Sequence, residues 1–391
     1  MRVLCLDIEG GHGGSSRSLY HAIEGMDRSN LCIEVICKKH SNFVDKYAAL
    51  NVQCNVLPEL PRNTALNNWL ANIPSLLKFY AIDFPRSQKT RLQLLDKCRD
   101  FDVLHANHIS LTPLVSWLSK KNPKLKISTH IRTMPKNSIF TRSEAKQCKN
   151  VSNALVFISE NEKAHFEELI GHGVAGTIVY NSVYISEELL CNCNRKLNKS
   201  TGEFRVLSLS NYSLSRGVDR LLQVAENLSE SFRSRVVFVV AGDMHDNGIL
   251  ARLNPWKISF EERVKRSKVS DIFCFLGHMS DPHPLLMSSD VLMKLTRENN
   301  PWGRDIIEAL AFGLPVVSVG SYDRYVKTGE TGLLQERYNP KEISEWLQIL
   351  FSDKAQMQRL SNNAKKLAKK VCSSKTYSDQ LKAVWWGLAK T

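Results

Sequence analysis

A chain of 391 residues is long enough for about two domains, each with its own core. Its composition of 43% hydrophobic, 24% charged and 8% aromatic residues excludes collagen-like, low-complexity and disordered classes. The formal charge of +14, with an isoelectric point near 9.3, implies attraction to nucleic acid, an anionic membrane or an anionic substrate without choosing among them.

The elements are read in chain order. Residues 2 to 7 make a short apolar strand, and Asp7 and Glu9 interrupt it before a signal-peptide core forms. No apolar run reaches the length of about 18 residues needed to span a bilayer. The ten cysteines contain no C-x-x-C pair, and Cys191 and Cys193 are poorly spaced for zinc. The expectation is therefore a cytoplasmic protein with reduced thiols and no structural metal. A glycine-rich turn, Gly10-Gly11-His12-Gly13-Gly14, leads into a helix with Ser15 and Ser16 as cap candidates and Leu19, Ala22, Ile23 and Met26 on one side. Apolar strands follow at 32–37, 52–57, 102–106, 124–130, 153–158 and 177–180, with helical stretches between most of them.

From 185 to 203 the periodicity fails in a polar stretch, Cys-Asn-Cys-Asn-Arg-Lys-Leu-Asn-Lys-Ser-Thr-Gly. Strands resume at 204–210, 235–241, 271–276, 290–295 and 314–318, with helices at 216–230, 304–312 and 340–351. The alternation predicts an α/β protein of two doubly wound Rossmann-like domains facing a cleft. The expected limits are 1–185, a linker at 186–203, 204–370, and a C-terminal helix at 371–391 that returns to the first domain.

Two segments carry chemistry. The turn Gly11-His12-Gly13-Gly14-Ser15-Ser16 lets the backbone approach a phosphate at a helix N-terminus, and Glu34 stands near the place of a ribose-binding acid. Ser16 replaces the third small residue of a dinucleotide fingerprint, so a tight turn, an acceptor contact and a phosphate contact all stay open. The second segment runs from Asp290 to Ser318. There Asn300, Pro301, Trp302 and Gly303 place backbone N–H groups at the mouth of a helix beginning near Arg304, and Glu308 lies one turn inside it among Ile306, Ile307, Ala309 and Leu310. A buried acceptor at that point suits the hydroxyls of a sugar or ribose, and helix N-termini with nearby cations suit diphosphates.

This segment resembles the donor-binding signature of family 4 glycosyltransferases of the GT-B fold, retaining enzymes that use nucleotide sugars. Further pieces fall in the same order: Gly13-Gly14-Ser-Ser-Arg17, His130, Val179-Tyr-Asn-Ser-Val183, Arg216-Gly217-Val-Asp219, Ala241-Gly242-Asp243, Phe275-Leu-Gly277-His278-Met279 and Thr331-Gly332-Leu333-Leu334. The likeness is strongest from 271 to 334. It implies a metal-independent transfer from a UDP- or GDP-sugar to a glycan, lipid-linked or other hydroxyl acceptor, in cell-surface polysaccharide or glycolipid synthesis. No cofactor is implied beyond the donor substrate. Gly13, Gly14, Arg216, Gly277, His278, Met279 and Pro301 to Arg304 would surround the donor, with Arg216 on the diphosphate and Glu308 on the ribose. His130 would approach the sugar, while Arg17 and Arg132 would serve the acceptor side.

Two positions depart from that pattern. The family usually carries a glutamate eight places before Glu308, where this chain has Asn300. It usually carries an arginine five places before Arg216, where this chain has Asn211. Asn300 can still exchange hydrogen bonds with sugar hydroxyls, and Arg297 or Arg304 could supply the charge missing at Asn211. A catalytically silent protein that binds a sugar nucleotide or a partner is the alternative.

Between Arg62 and Lys149 there are 16 Lys and Arg against 5 Asp and Glu, a net +11 of the whole +14. The apolar stretch 66–82 lies beside this charge. Peripheral contact with an anionic inner membrane face and a basic face in water are equally consistent with it. No basic helix or aromatic signature points to nucleic acid.

Overall fold

The structure is a computed structural model and describes residues 1–8, 14–63, 72–135, 137–183, 202–243, 259–279 and 281–390. It forms two compact units, Met1–Ser182 with Ser373–Thr391, and Val183–Cys372. The chain thus changes unit slightly ahead of the expected linker, nearly all of which lies outside the described residues, as do Gly10 to Gly13, Cys191 and Cys193.

The first unit is built on a seven-stranded sheet: β1 (Arg2–Asp7), β2 (Cys32–Cys37), β3 (Gln53–Val56), β4 (Val103–Ala106), β5 (Lys126–Ile131), β6 (Ala154–Phe157) and β7 (Thr177–Ile178). The order is β3-β2-β1-β4-β5-β6-β7, with every pairing parallel. Both faces are covered, which is why Val3, Leu4, Cys5 and Leu6 form an unbroken apolar run with no exposed member. Val3 and Cys5 pack with Leu19 and Ile23 of the helix Gly14–Glu24 and with Tyr377, Leu381 and Trp385 of the helix Ser374–Ala389. Leu4 and Leu6 take the opposite face with Leu94, Leu114 and Leu118, as the two-residue period of a strand requires. Ser15 and Ser16 are not caps: the helix already includes Gly14, so both serines lie inside its first turn.

The second unit carries β8 (Phe204–Leu209), β9 (Val236–Ala241), β10 (Phe273–Gly277), β11 (Val291–Lys294), β12 (Val316–Val319) and β13 (Gly332–Gln335). They are ordered β10-β9-β8-β11-β12-β13 and all pair in parallel. β13 arises from the Gly332-Leu333-Leu334 segment, which the sequence marks as a motif and not as a strand. Gly332 is required there because a Cβ would stand 1.9 Å from the Val316 carbonyl oxygen. The helix expected over 216–230 is broken into Arg220–Glu226 and Glu230–Arg233. Gly217, at φ +68°, holds the chain in a turn before the first of these. The helix Arg304–Phe312 stops at Gly313 in the left-handed conformation, the usual C-terminal signal.

In each sheet the strand order reverses beside the first strand, between β1 and β4 and between β8 and β11. Ligands of doubly wound sheets bind at the carboxyl ends of strands at such switch points.

Candidate functional site

At the second switch point the loop after β8 and the loop after β11 are laced together. Arg297 donates its backbone N–H to the Ser215 carbonyl at 2.7 Å, and Thr296 Oγ1 donates to the same carbonyl at 3.3 Å. Arg220 Nη1 reaches the carbonyls of Leu295 and Thr296 at 3.1 and 2.8 Å. The two backbones pass so closely that a Cβ on Gly217 would lie 1.8 Å from the Leu295 carbonyl oxygen.

Most cations at this edge are spent on building it. Arg297 forms a two-pronged pair with Asp219, with both N···O distances 2.7 Å, and donates again to the Leu214 carbonyl at 2.6 Å. That pair holds the Asp219 carboxyl below the ordinary range against the opposing effect of its burial, and it raises Arg297. The charge expected to stand in for Asn211 is therefore already paired. Lys294 Nζ binds the Trp302 carbonyl at 2.8 Å and Asp305 Oδ1 at 3.0 Å. Arg304 places Nε and Nη2 on Glu308 Oε1 at 3.1 and 2.8 Å. Arg216 differs: it is exposed, and among the described residues its guanidinium makes only a 3.5 Å hydrogen bond to Ser210 Oγ.

Facing these groups is the N-terminus of the helix Arg304–Phe312, where Gly303 stands at the cap position and no side chain caps it. First-turn N–H groups and the helix dipole make such an end attractive to anions. Gly303 fits because a Cβ would meet Lys294 Nζ at 2.5 Å and Asp305 Oδ1 at 2.6 Å. Pro301 and Trp302 are buried, and Trp302 stacks on Tyr325 with ring centroids 5.5 Å apart, so they shape the loop from behind. Glu308 is 5% exposed, and both hydrogen bonds from Arg304 converge on its Oε1. The Asn300 Oδ1 atom is buried without a partner among the described residues. Asn211 Oδ1 accepts from the Asp243 N–H at 2.9 Å, which ties the β8 loop to the β9 loop. Gly277, at φ +67°, accepts from the Gly242 N–H at 2.7 Å, and His278 and Met279 beside it are exposed.

The first switch point is filled by a buried polar network. Arg132 donates from Nε to the Asn107 carbonyl and side chain at 3.1 and 3.0 Å. Its Nη1 donates to Asn181 at 3.0 Å, and its Nη2 contacts His130 Nδ1 at 3.1 Å and Tyr377 Oη at 2.9 Å. Asn107 in turn donates to Asp7 at 3.0 Å and to the Ser15 carbonyl at 3.1 Å. Arg132 is thus anchored inside the unit. His130 is wholly buried because β5 is an interior strand covered by the C-terminal helix. Burial and the adjacent guanidinium hold it neutral, far below the ordinary imidazole range. Glu34 is also buried, paired with Lys97 and with Asn55 Nδ2, which removes it as a ribose acid. Arg17 is half-buried on the helix Gly14–Glu24 and Gly14 is exposed at its start, while Gly13 lies outside the described residues.

Asn107, Arg220 and Lys294 are not singled out by the sequence, and Asp7, Asn181 and Asp219 stand in it only at a strand end or inside a motif, with no role assigned. For Asp7, Asn107 and Lys294 the available signal is position, at or just beyond a strand's carboxyl end.

Residues 192–367 match the family described as Glycosyl transferases group 1. The chain is 24% identical over 319 residues to an uncharacterized glycosyltransferase of Methanocaldococcus jannaschii, covering 79% of this chain and 82% of that protein. It is 20% identical over 306 residues to N-acetyl-alpha-D-glucosaminyl L-malate synthase of Bacillus anthracis, covering 74% and 76%. Its fold is similar to that of Anabaena HepE, solved in complex with UDP-glucose, with a TM-score of 0.74 at 17% identity over 99% of this chain and 100% of that one. The GT-B class expected from the sequence agrees with these likenesses.

Proposed function

From the match of residues 192–367 to the group 1 glycosyl transferases we propose that this chain is a retaining enzyme moving a sugar from a UDP- or GDP-sugar to a hydroxyl acceptor. The observation that supports the reading is Arg216, whose guanidinium has no carboxylate or carbonyl partner among the described residues, at the β8/β11 switch point with a helix N-terminus that no side chain caps.

In this reading Arg216 and the N–H groups from Gly303 onward neutralise the diphosphate as it departs, which is the main electrostatic demand of the transfer. Glu308 accepts from the ribose hydroxyls, its carboxylate oriented by Arg304. Asn300 exchanges hydrogen bonds with the transferred sugar, and Gly277, His278 and Met279 border the base. His130 and Arg132 act as internal supports of the first unit. Charge neutralisation by these groups needs no metal at the leaving group.

The acceptor falls to the first unit, whose exposed Leu77, Tyr80, Ile82, Ile139 and Phe140 stand on segments that also expose Lys78, Arg86, Lys89 and Arg142. That mixture favours a lipid-linked or glycan acceptor handled at an anionic membrane surface, in polysaccharide or glycolipid synthesis.

Titration calorimetry with a panel of UDP- and GDP-sugars tests the donor site. Arg216→Ala and Glu308→Ala are each expected to weaken binding about 10- to 100-fold, the scale of a lost charge-assisted contact; unchanged binding in both overturns the reading. The unpartnered Asn300 Oδ1 and the engaged Asn211 favour one alternative, a silent protein that binds a donor without turning it over. Slow release of nucleoside diphosphate from a bound donor separates the two.

A further inference from the structure

We propose that Cys37 and Cys54 are an oxidisable dithiol, a modification site that closes to an intramolecular disulfide in response to hydrogen peroxide. In the β2–β3 pairing Val35 stands beside Cys54 and Cys37 beside Val56. The two cysteines therefore lie on one diagonal and point to the same face of the sheet. Their sulfurs are 3.8 Å apart and share an S–H···S contact.

A disulfide requires about 2.05 Å between the sulfurs and Cα atoms within about 7 Å, whereas a diagonal pair on neighbouring strands stands about 7–8 Å apart, so closure needs side-chain rotation together with a backbone shift of β3 along or toward β2. β3 is the edge strand of its sheet and Cys54 is half-buried while Cys37 is buried, so a small oxidant reaches the pair from the Cys54 side, a route that Cys5, Cys98, Cys148 and Cys372, all buried and without such a neighbour among the described residues, do not share. The contact from Cys54 also favours the thiolate on Cys37, and the thiolate is the reactive form. Cys32 and Cys274 are exposed, but neither has a second sulfur within bonding reach among the described residues.

The chemistry balances as follows. One cysteine sulfur attacks a peroxide oxygen, the O–O bond breaks, and the departing hydroxide takes a proton to leave as water. The resulting sulfenic acid is attacked by the second sulfur; the S–S bond forms, the S–O bond breaks, and a second water leaves with the remaining proton. Two thiols lose two electrons in total, and one peroxide is reduced to two waters.

The test is peptide mapping of the whole protein after mild hydrogen peroxide treatment without reductant. The expected result is a cross-linked pair of peptides containing Cys37 and Cys54, lighter by two hydrogens and separated again by dithiothreitol. The pair should disappear in both Cys37→Ser and Cys54→Ser, with a trappable sulfenic acid left on the remaining cysteine. The wild-type map stands even if a variant folds poorly. Cys37 and Cys54 remaining as thiols while Cys32 and Cys274 oxidise would overturn the proposal, as would a cross-link joining either to a different cysteine.

Discussion

Arg216 and Arg297 are both arginines in the loops at the β8/β11 switch point, yet one is exposed and its guanidinium makes a single long hydrogen bond among the described residues, while the other is clamped on Asp219. Sequence spacing placed both near the donor but could not divide them, because the carboxylate that claims Arg297 sits 78 positions away. The same limit hid Arg132, whose partners Asn181 and Tyr377 are distant in sequence. Glu144 is a further case. It is buried, hydrogen-bonded to Asn63 Nδ2 at 2.7 Å, and its Oε1 has no partner among the described residues. Burial pushes its carboxyl from the ordinary 4.5 up to about 8, against the opposing hydrogen bond. A folded-state value above the unfolded one means the folded protein holds a proton that the unfolded chain releases. Stability is then greatest below about 4.5 and falls as pH rises to about 8. Glu144→Gln keeps the shape without the titration, so urea midpoints should show the variant gaining on wild type across that window; parallel curves would contradict it.

Elements were more legible than their contacts. The helix Arg304–Phe312 was readable because a glycine precedes it, apolar residues pack one side and Gly313 stops it. The stretch 216–230 misled because its apolar spacing is helical, while the close passage of Gly217 against Leu295 is visible only in three dimensions. The closing helix Ser374–Ala389 is a structural part of the first unit: Trp385 and Leu381 are wholly buried and Tyr377 nearly so. Trp385 also meets His105 edge-on, with ring centroids 5.3 Å apart. Replacing Trp385 by Ala removes a large buried ring, and its expected cost is about 3–5 kcal/mol, read from chemical denaturation of the variant. Donor binding, which we propose for Val183–Cys372, should persist below the variant's transition.

For the molecule as a whole, most of the excess charge falls between Arg62 and Lys149, on the same unit as the exposed Leu77, Ile139 and Phe140. No helix among the described residues is long and apolar enough to cross a membrane. Sedimentation with vesicles should show binding to phosphatidylglycerol and not to phosphatidylcholine. Binding should weaken steeply as salt shortens the screening length from about 10 Å at 0.1 M to about 3 Å at 1 M; failure to sediment with either lipid would remove the membrane contact and leave the donor site untouched. The chain leaves the first unit at Ser182 and re-enters it at Ser373, and the two ends of the intervening unit are joined by a hydrogen bond from the Val183 N–H to the Cys372 carbonyl at 3.1 Å. On the ribosome, the half begun first is therefore completed last. At about 5–20 residues per second, its sheet waits roughly ten to forty seconds for Tyr377 and Trp385, with the inner face of β1 lacking its final cover while the second unit is made and can fold.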